Sequence, residues 1–149
     1  MKKIRTLFIF TIVITCTFLL IVFLNEDQWD KNVRLLKKEI VSLDDTIKTI
    51  NLNEVTPFEW DVVYFFDPYT PKDQIYETVG YKWDKIKETV SEGMNQIVFL
   101  QDEKVVAYVY GYPSNNGYGI SYVGSTLQVN NSLDFQVTRR DGVIYLHKF

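Results

Sequence analysis

Residues 59–80 read EWDVVYFFDPYTPKDQIYETVG, and the fold turns on how this stretch divides. Its first half carries Trp60, Tyr64, Phe65, Phe66 and Tyr69. Side chains in an extended chain alternate between faces, so Trp60, Val62, Tyr64 and Phe66 share one face and Glu59, Asp61, Val63 and Phe65 the other. The first set is wholly apolar or aromatic, which predicts a strand with one core face. Asp67-Pro68 ends it, because proline brings no N–H to a ladder. Thr70-Pro71-Lys72-Asp73 then predicts a helix start. Thr70 would cap it, Pro71 would fill the first helical position, and Asp73 would sit near the positive end. Ile75 and Val79 would face inward, and Gly80 is placed to stop the helix. The stretch therefore reads as a core strand feeding a capped helix, with Tyr69 as its one free aromatic.

Downstream, Lys82 to Val90 predicts a second short helix with Trp83, Ile86 and Val90 as its inner stripe, closed by Ser91-Glu92-Gly93. The period then changes to two. Residues 95–101 and 104–112 flank Asp102-Glu103 as a hairpin. Residues 113–119 form a turn-rich loop. Short strands are expected at 120–123 and 126–130. The last pair, 135–139 and 143–149, flanks Asp141-Gly142, a type I′ signal. The expected fold class is α+β: two short helices packed on one antiparallel sheet of about five strands.

Upstream, Trp29, Val33, Leu36, Ile40, Leu43, Ile47 and Ile50 recur at alternating spacings of four and three. That is an a/d stripe, predicting one long amphipathic helix over residues 26–50. It would pair two copies of the chain through residues 29–50, dock on the chain's own domain, or stand as a stalk. Asn51 to Pro57 reads as a linker.

The N-terminus is MKKIRTLFIFTIVITCTFLLIVFLNED. From Thr6 to Leu24 it carries no charge, and as a helix this run spans about 28 Å, close to the hydrocarbon thickness of a bilayer. It is longer than a signal-peptide core, and no small-residue cleavage site follows. It therefore reads as an uncleaved membrane anchor. Lys2, Lys3 and Arg5 hold the N-terminus in the cytoplasm and leave the C-terminal part extracytoplasmic. Cys16 is the only cysteine, so no disulfide forms within the chain. Thr15 before it and Phe18-Leu19-Leu20 after it suit a membrane helix better than a lipidation site. Three segments are expected: 1–24 as basic tip and anchor, 25–54 as juxtamembrane helix and linker, and 55–149 as an extracytoplasmic domain.

Charge narrows the partners. Leaving out the three cations of the first 24 residues takes the formal charge from −3 to −6. An acidic domain argues against nucleic acid. The chemistry-bearing residues are few. His147 is the only histidine, it lies on a predicted strand, and no nucleophile-elbow motif accompanies it. Asp44-Asp45 and Asp102-Glu103 lack metal-ligand spacing, so no metal and no cofactor are expected. Glu59, Asp61 and Asp67 are the acids a cell-envelope hydrolase would use, with Glu59 and Asp61 about 7 Å apart on one strand face. A solvated strand face has the same spacing. Tyrosine offers the sharper clue. Tyr108, Tyr110 and Tyr112 alternate along one strand, with Tyr118 and Tyr122 just beyond and Tyr69 at the earlier turn. Such a row presents large, rigid contact area at low entropic cost, which suits partner binding.

The run from Trp60 to Pro71, its Ile75-to-Gly80 helix end, and the hairpin through Val98-Phe99-Leu100 and Lys104 to Tyr108 resemble uncharacterised membrane-anchored or lipoprotein-like domains of low-GC Gram-positive bacteria. The likeness spans roughly residues 55–125 and implies a location rather than an activity. The helix-helix-then-strands order is also similar to β-lactamase-inhibitor-like and outer-membrane-assembly lipoprotein modules, which implies binding. The expected function is thus a membrane-anchored extracytoplasmic protein-binding or envelope-assembly module without catalysis. The alternatives are a small immunity or regulatory membrane protein and the envelope hydrolase.

Overall fold

The structure is a computed structural model that describes residue 15 and residues 27–149. Apart from Thr15, which is helical, the expected span from Thr6 to Leu24 lies outside the described residues. Among the described residues no helix is long and apolar enough to cross a membrane.

The fold is mixed α+β, but its strands form two four-stranded sheets instead of one. The elements in chain order are α1 (Gln28–Val41), β1 (Thr49–Asn51), α2 (Leu52–Val55), β2 (Val62–Phe65), α3 (Lys72–Val79), β3 (Asn95–Gln101), β4 (Lys104–Gly111), α4 (Pro113–Asn116), β5 (Tyr118–Tyr122), β6 (Thr126–Gln128), β7 (Asp134–Arg140) and β8 (Val143–Lys148). The first sheet runs β1-β7-β8-β5 and the second β4-β3-β2-β6. Nor are all pairings antiparallel: β5 lies parallel to β8, with Tyr118 beside Ile144 and Ser121 beside His147. A parallel neighbour requires a crossover, and the chain supplies it by leaving the second sheet at β4, joining the first at β5, and returning at β6.

The two sheets face each other across the main core. Ile50, Phe135, Val137, Leu146 and Ile120 come from one side, and Val63, Ile97, Phe99, Val109 and Leu127 from the other. The opening stretch enters this core in a way that alternation did not foretell. Val63 is fully buried between the sheets, with Phe65 packed beside it, while Val62, Tyr64 and Phe66 face a second cluster on the far side. β2 is a central strand, flanked by β3 and β6, so both its faces are covered. Trp60 precedes the strand and turns into the main core, where its ring meets Phe99 edge-on at 5.6 Å. Glu59 and Asp61 stay outside.

The second cluster lies under α3, whose Ile75 and Val79 pack on Val98, Leu100 and Tyr108. Gly80 closes α3 as expected, with φ 93 and its N–H donating to the Tyr76 carbonyl. Pro71, not Thr70, takes the N-cap position, and the Thr70 hydroxyl donates to the Asp67 carbonyl instead. The expected helix at 82–90 does not form. This segment is irregular, and it covers the second sheet by burying Ile86 and Thr89 and seating Trp83. Both hairpin turns take the left-handed pair that a type I′ connection requires, at Asp102 and Glu103 and at Asp141 and Gly142.

The heptad helix is shorter than expected. It stops at Val41, and the last members of the stripe enter a turn (Leu43, Ile47) and a strand (Ile50). Arg139 of β7 holds that turn, donating to the carbonyls of Leu43, Asp44 and Ile47 and pairing with Asp45 at 3.1 Å. Leu36 and Ile40 are fully buried in the main core. The stripe docks on the chain's own sheets, and pairing two copies through it would require α1 to leave the core. Leu36, Ile40, Leu52 and Val55 share one core with the later strands. The expected linker is instead β1 and α2.

Candidate functional site

The layers leave one face bare. The second sheet is covered by the main core on one side and by α3 with the 82–90 segment on the other. The first sheet has only the core, and its outer face presents Gln136, Thr138 and Arg140 from β7, Tyr145 and His147 from β8, and Gly119 and Ser121 from β5. Thr49 of β1 extends the row that runs through Gln136, His147 and Ser121.

An aromatic ladder runs down β8 on this face. The Tyr145 and His147 rings stack with centroids 5.8 Å apart and planes 6° from parallel. His147 and Phe149 continue the stack at 6.3 Å. The Arg140 guanidinium lies 5.7 Å from the Tyr145 ring, within cation–π range. The ladder depends on Gly119, since a Cβ there would lie 2.9 Å from Pro113 Cγ and 3.1 Å from Tyr145 Cδ1. Glycine lets the tyrosine lie flat over the neighbouring strand. Phe149, at 81 % exposed, ends the ladder in solvent.

His147 is fixed from both sides. Its Nδ1 lies 2.7 Å from Ser121 Oγ and its Nε2 3.1 Å from Thr138 Oγ1. A hydroxyl both donates and accepts, so this pair satisfies the ring in either tautomer. The face runs into a cleft of about 490 Å³ where the two sheets part. Ser121, His147 and Tyr145 line it with Asp67, Pro68, Glu92 and Ser125.

Chemically, this is a hydroxyl–imidazole–hydroxyl row. Nucleophilic catalysis by a Ser–His pair wants a third group that orients the base and stabilises its cation. Thr138 occupies that place, and no carboxylate hydrogen-bonds His147 among the described residues. The hydrolase acids do not converge either. Glu59 and Asp61 line a separate shallow pocket before β2, whereas Asp67 lies beyond the strand's other end. Glu59 and Asp61 are occupied structurally: Gln101 donates to Glu59 at 2.8 Å, and the Asp102 N–H donates to Asp61 at 2.7 Å, which latches the β3–β4 hairpin. No group of three metal-ligating side chains stands together among the described residues.

The tyrosines expected to form one surface are scattered. Tyr108 is buried under the 82–90 segment, where its hydroxyl accepts from the Lys87 N–H at 3.1 Å and its ring meets Trp83 edge-on. Burial pushes its phenol pKa up. Tyr110 is half-buried beside it and donates to the Glu88 carbonyl. Tyr118 is 1 % exposed and belongs to the main core. Tyr122 packs edge-on against Phe65 at 5.6 Å. Only Tyr69, in a left-handed turn with φ 67, and Tyr112 remain exposed, and they do not share a cleft. The face of β4 that carries the tyrosine row is covered by the irregular 82–90 segment. The alternation of Tyr145, His147 and Phe149 in the final strand was readable. Its stacking over Gly119 was not, because β5 pairs with β8 only through a crossover.

Compared with protein-family models, with curated proteins and with solved structures, the chain matches none.

Proposed function

We propose that this chain is a membrane-tethered extracytoplasmic binding module without catalysis of its own, and that it engages a protein partner through the outer face of the first sheet. The observation that carries the reading is the bare face itself, where Tyr145, His147 and Phe149 stack in a single line above a cleft. A large aromatic contact held rigid by stacking loses little entropy on binding, and the flanking hydroxyls and Arg140 supply directional bonds. The tether comes from the uncharged run Thr6 to Leu24 and its basic flank, which would deliver the acidic domain to the outer side. The envelope-hydrolase alternative draws no support from three acids lying at opposite ends of β2. The regulatory-membrane-protein alternative has no observation that favours it.

The test is affinity capture with the intact, membrane-inserted chain. Tyr145→Ala and Phe149→Ala should each weaken capture about tenfold or more, the loss expected of a contact anchor. Tyr108→Phe, a buried change away from this face, should leave capture unchanged. Capture that survives loss of the whole ladder, or turnover abolished by Ser121→Ala, would overturn the proposal.

A further inference from the structure

A second cleft lies between α1, the 84–87 segment and β4. It encloses about 520 Å³, within the roughly 300–1,000 Å³ of small-molecule sites. Its walls are apolar and aromatic: Trp29, Val33, Ile86, Tyr108, Val109 and Tyr110. Its charge runs against the acidic molecule around it. Lys37 of α1, Lys72 at the start of α3, and Lys85 and Lys87 of the irregular segment all line it. Of its two acids, Asp30 is paired with Arg34 at 2.6 Å and Asp84 with Lys85 at 3.4 Å. Lys37, Lys72 and Lys87 have no carboxylate partner among the described residues. Lys87 Nζ instead lies 5.5 Å from the Tyr110 ring centroid. Glu88 stands nearby, where its carboxylate accepts from the Lys72 backbone N–H at 3.5 Å.

Tyr118 adds an independent mark. It lines the same cleft, it is 1 % exposed, and its hydroxyl has no hydrogen-bond partner. A buried donor left unmade is costly, so such groups call for an explanation in ligand, ion or water. Three unpaired ammonium groups above apolar walls, with an unpartnered phenol buried at the wall, match one kind of ligand: a phosphate head on an apolar body. Lysine serves phosphate as a point charge, and the aromatic walls take the hydrocarbon. We propose that this cleft binds a phosphate-bearing amphiphile, its head held by Lys37, Lys72 and Lys87 and its body against Trp29, Val33 and Ile86.

The inference stands on the cleft's own chemistry and not on the partner-binding face. The experiment uses the full chain in dodecyl maltoside micelles, which carry no phosphate, followed by tryptophan fluorescence, since Trp29 lines the cleft and meets Trp83 at 5.2 Å. Hexyl phosphate should bind saturably, while inorganic phosphate and hexanol should each bind about tenfold more weakly or not at all. Lys72→Ala/Lys87→Ala, both surface changes, should weaken hexyl phosphate about tenfold. Tyr118→Phe should weaken it too while leaving the unliganded protein at least as stable, which separates lost recognition from lost folding. Hexanol binding as well as hexyl phosphate, or unaltered affinity in the lysine variant, would overturn the proposal. A final arm assigns the ligand's source. If phosphatidylglycerol added to the micelles competes with hexyl phosphate, the head belongs to a bilayer lipid; if it does not, it belongs to a soluble ester. Only this arm depends on the tether.

Discussion

Tyr118 shows most clearly how one side chain can serve and strain a fold together. Its ring fills the main core, yet its hydroxyl is buried without a partner. Removing that hydroxyl removes a desolvated donor and little packing. Tyr118→Phe should therefore leave the protein unchanged or more stable by up to about 1 kcal/mol, read from urea unfolding. The same burial sets an alkaline limit. Desolvation raises the pKa of Tyr118 far above its ordinary value of 10.0, and burial raises that of Tyr108 as well. Below about pH 10 both native and unfolded chains keep these phenolic protons. Above it the unfolded chain releases them while the native state holds on, so stability falls as pH rises. Tyr118→Phe should flatten that fall, and a pH series of unfolding midpoints from 8 to 11 checks it. No residue pattern announced this tyrosine as core, because its neighbours in sequence, Asn116-Gly117 and Gly119, read as a loop tip.

At the scale of elements, edges and close approaches decide the order. β4 is an edge of the second sheet, and α1 lies along it, with Asn32 donating to the Val106 carbonyl at 2.8 Å. An open edge invites pairing with another chain, so this contact both docks the helix and closes the ladder. Asn32→Ala should cost about 1–3 kcal/mol, because it leaves a carbonyl without its partner, and should speed hydrogen exchange along α1. Asn32 is 3 % exposed, yet it lies outside the apolar stripe. Periodicity ranks it as a polar position, and only the neighbouring strand shows why it is buried. On the other sheet, Gly119→Ala should push Pro113 and the Tyr145 ring apart. The expected cost is about 1–3 kcal/mol, with chemical-shift changes at His147. The stretch at 59–80 was legible as a strand, a proline break and a glycine-stopped helix, because those signals are local. Trp83 and Ile86 at helical spacing predict a helix at 82–90, but the same spacing also serves an irregular segment laid flat on a sheet.

At the scale of the whole molecule, the account rests on asymmetry between two sheets. One is buried on both faces and the other on one. Composition and pattern established the α+β class, the two hairpins and the acidic charge, all of which follow from nearby residues. They could not divide the strands between sheets, because β1, β5 and β6 join partners far away in sequence. The candidate sites shared that fate. The row of tyrosines on β4 was visible but is covered, whereas the ladder on β8 takes its support from Gly119 and Ser121 of β5 and Thr138 of β7, and the four-lysine cleft gathers residues from separate elements. The most direct measurement places a photo-crosslinking residue at position 147, and separately at position 110, in the full chain within its native cells. Crosslinks to a protein partner from position 147, and none from position 110, are the predicted result. Crosslinks from position 110 with none from position 147 would contradict the account.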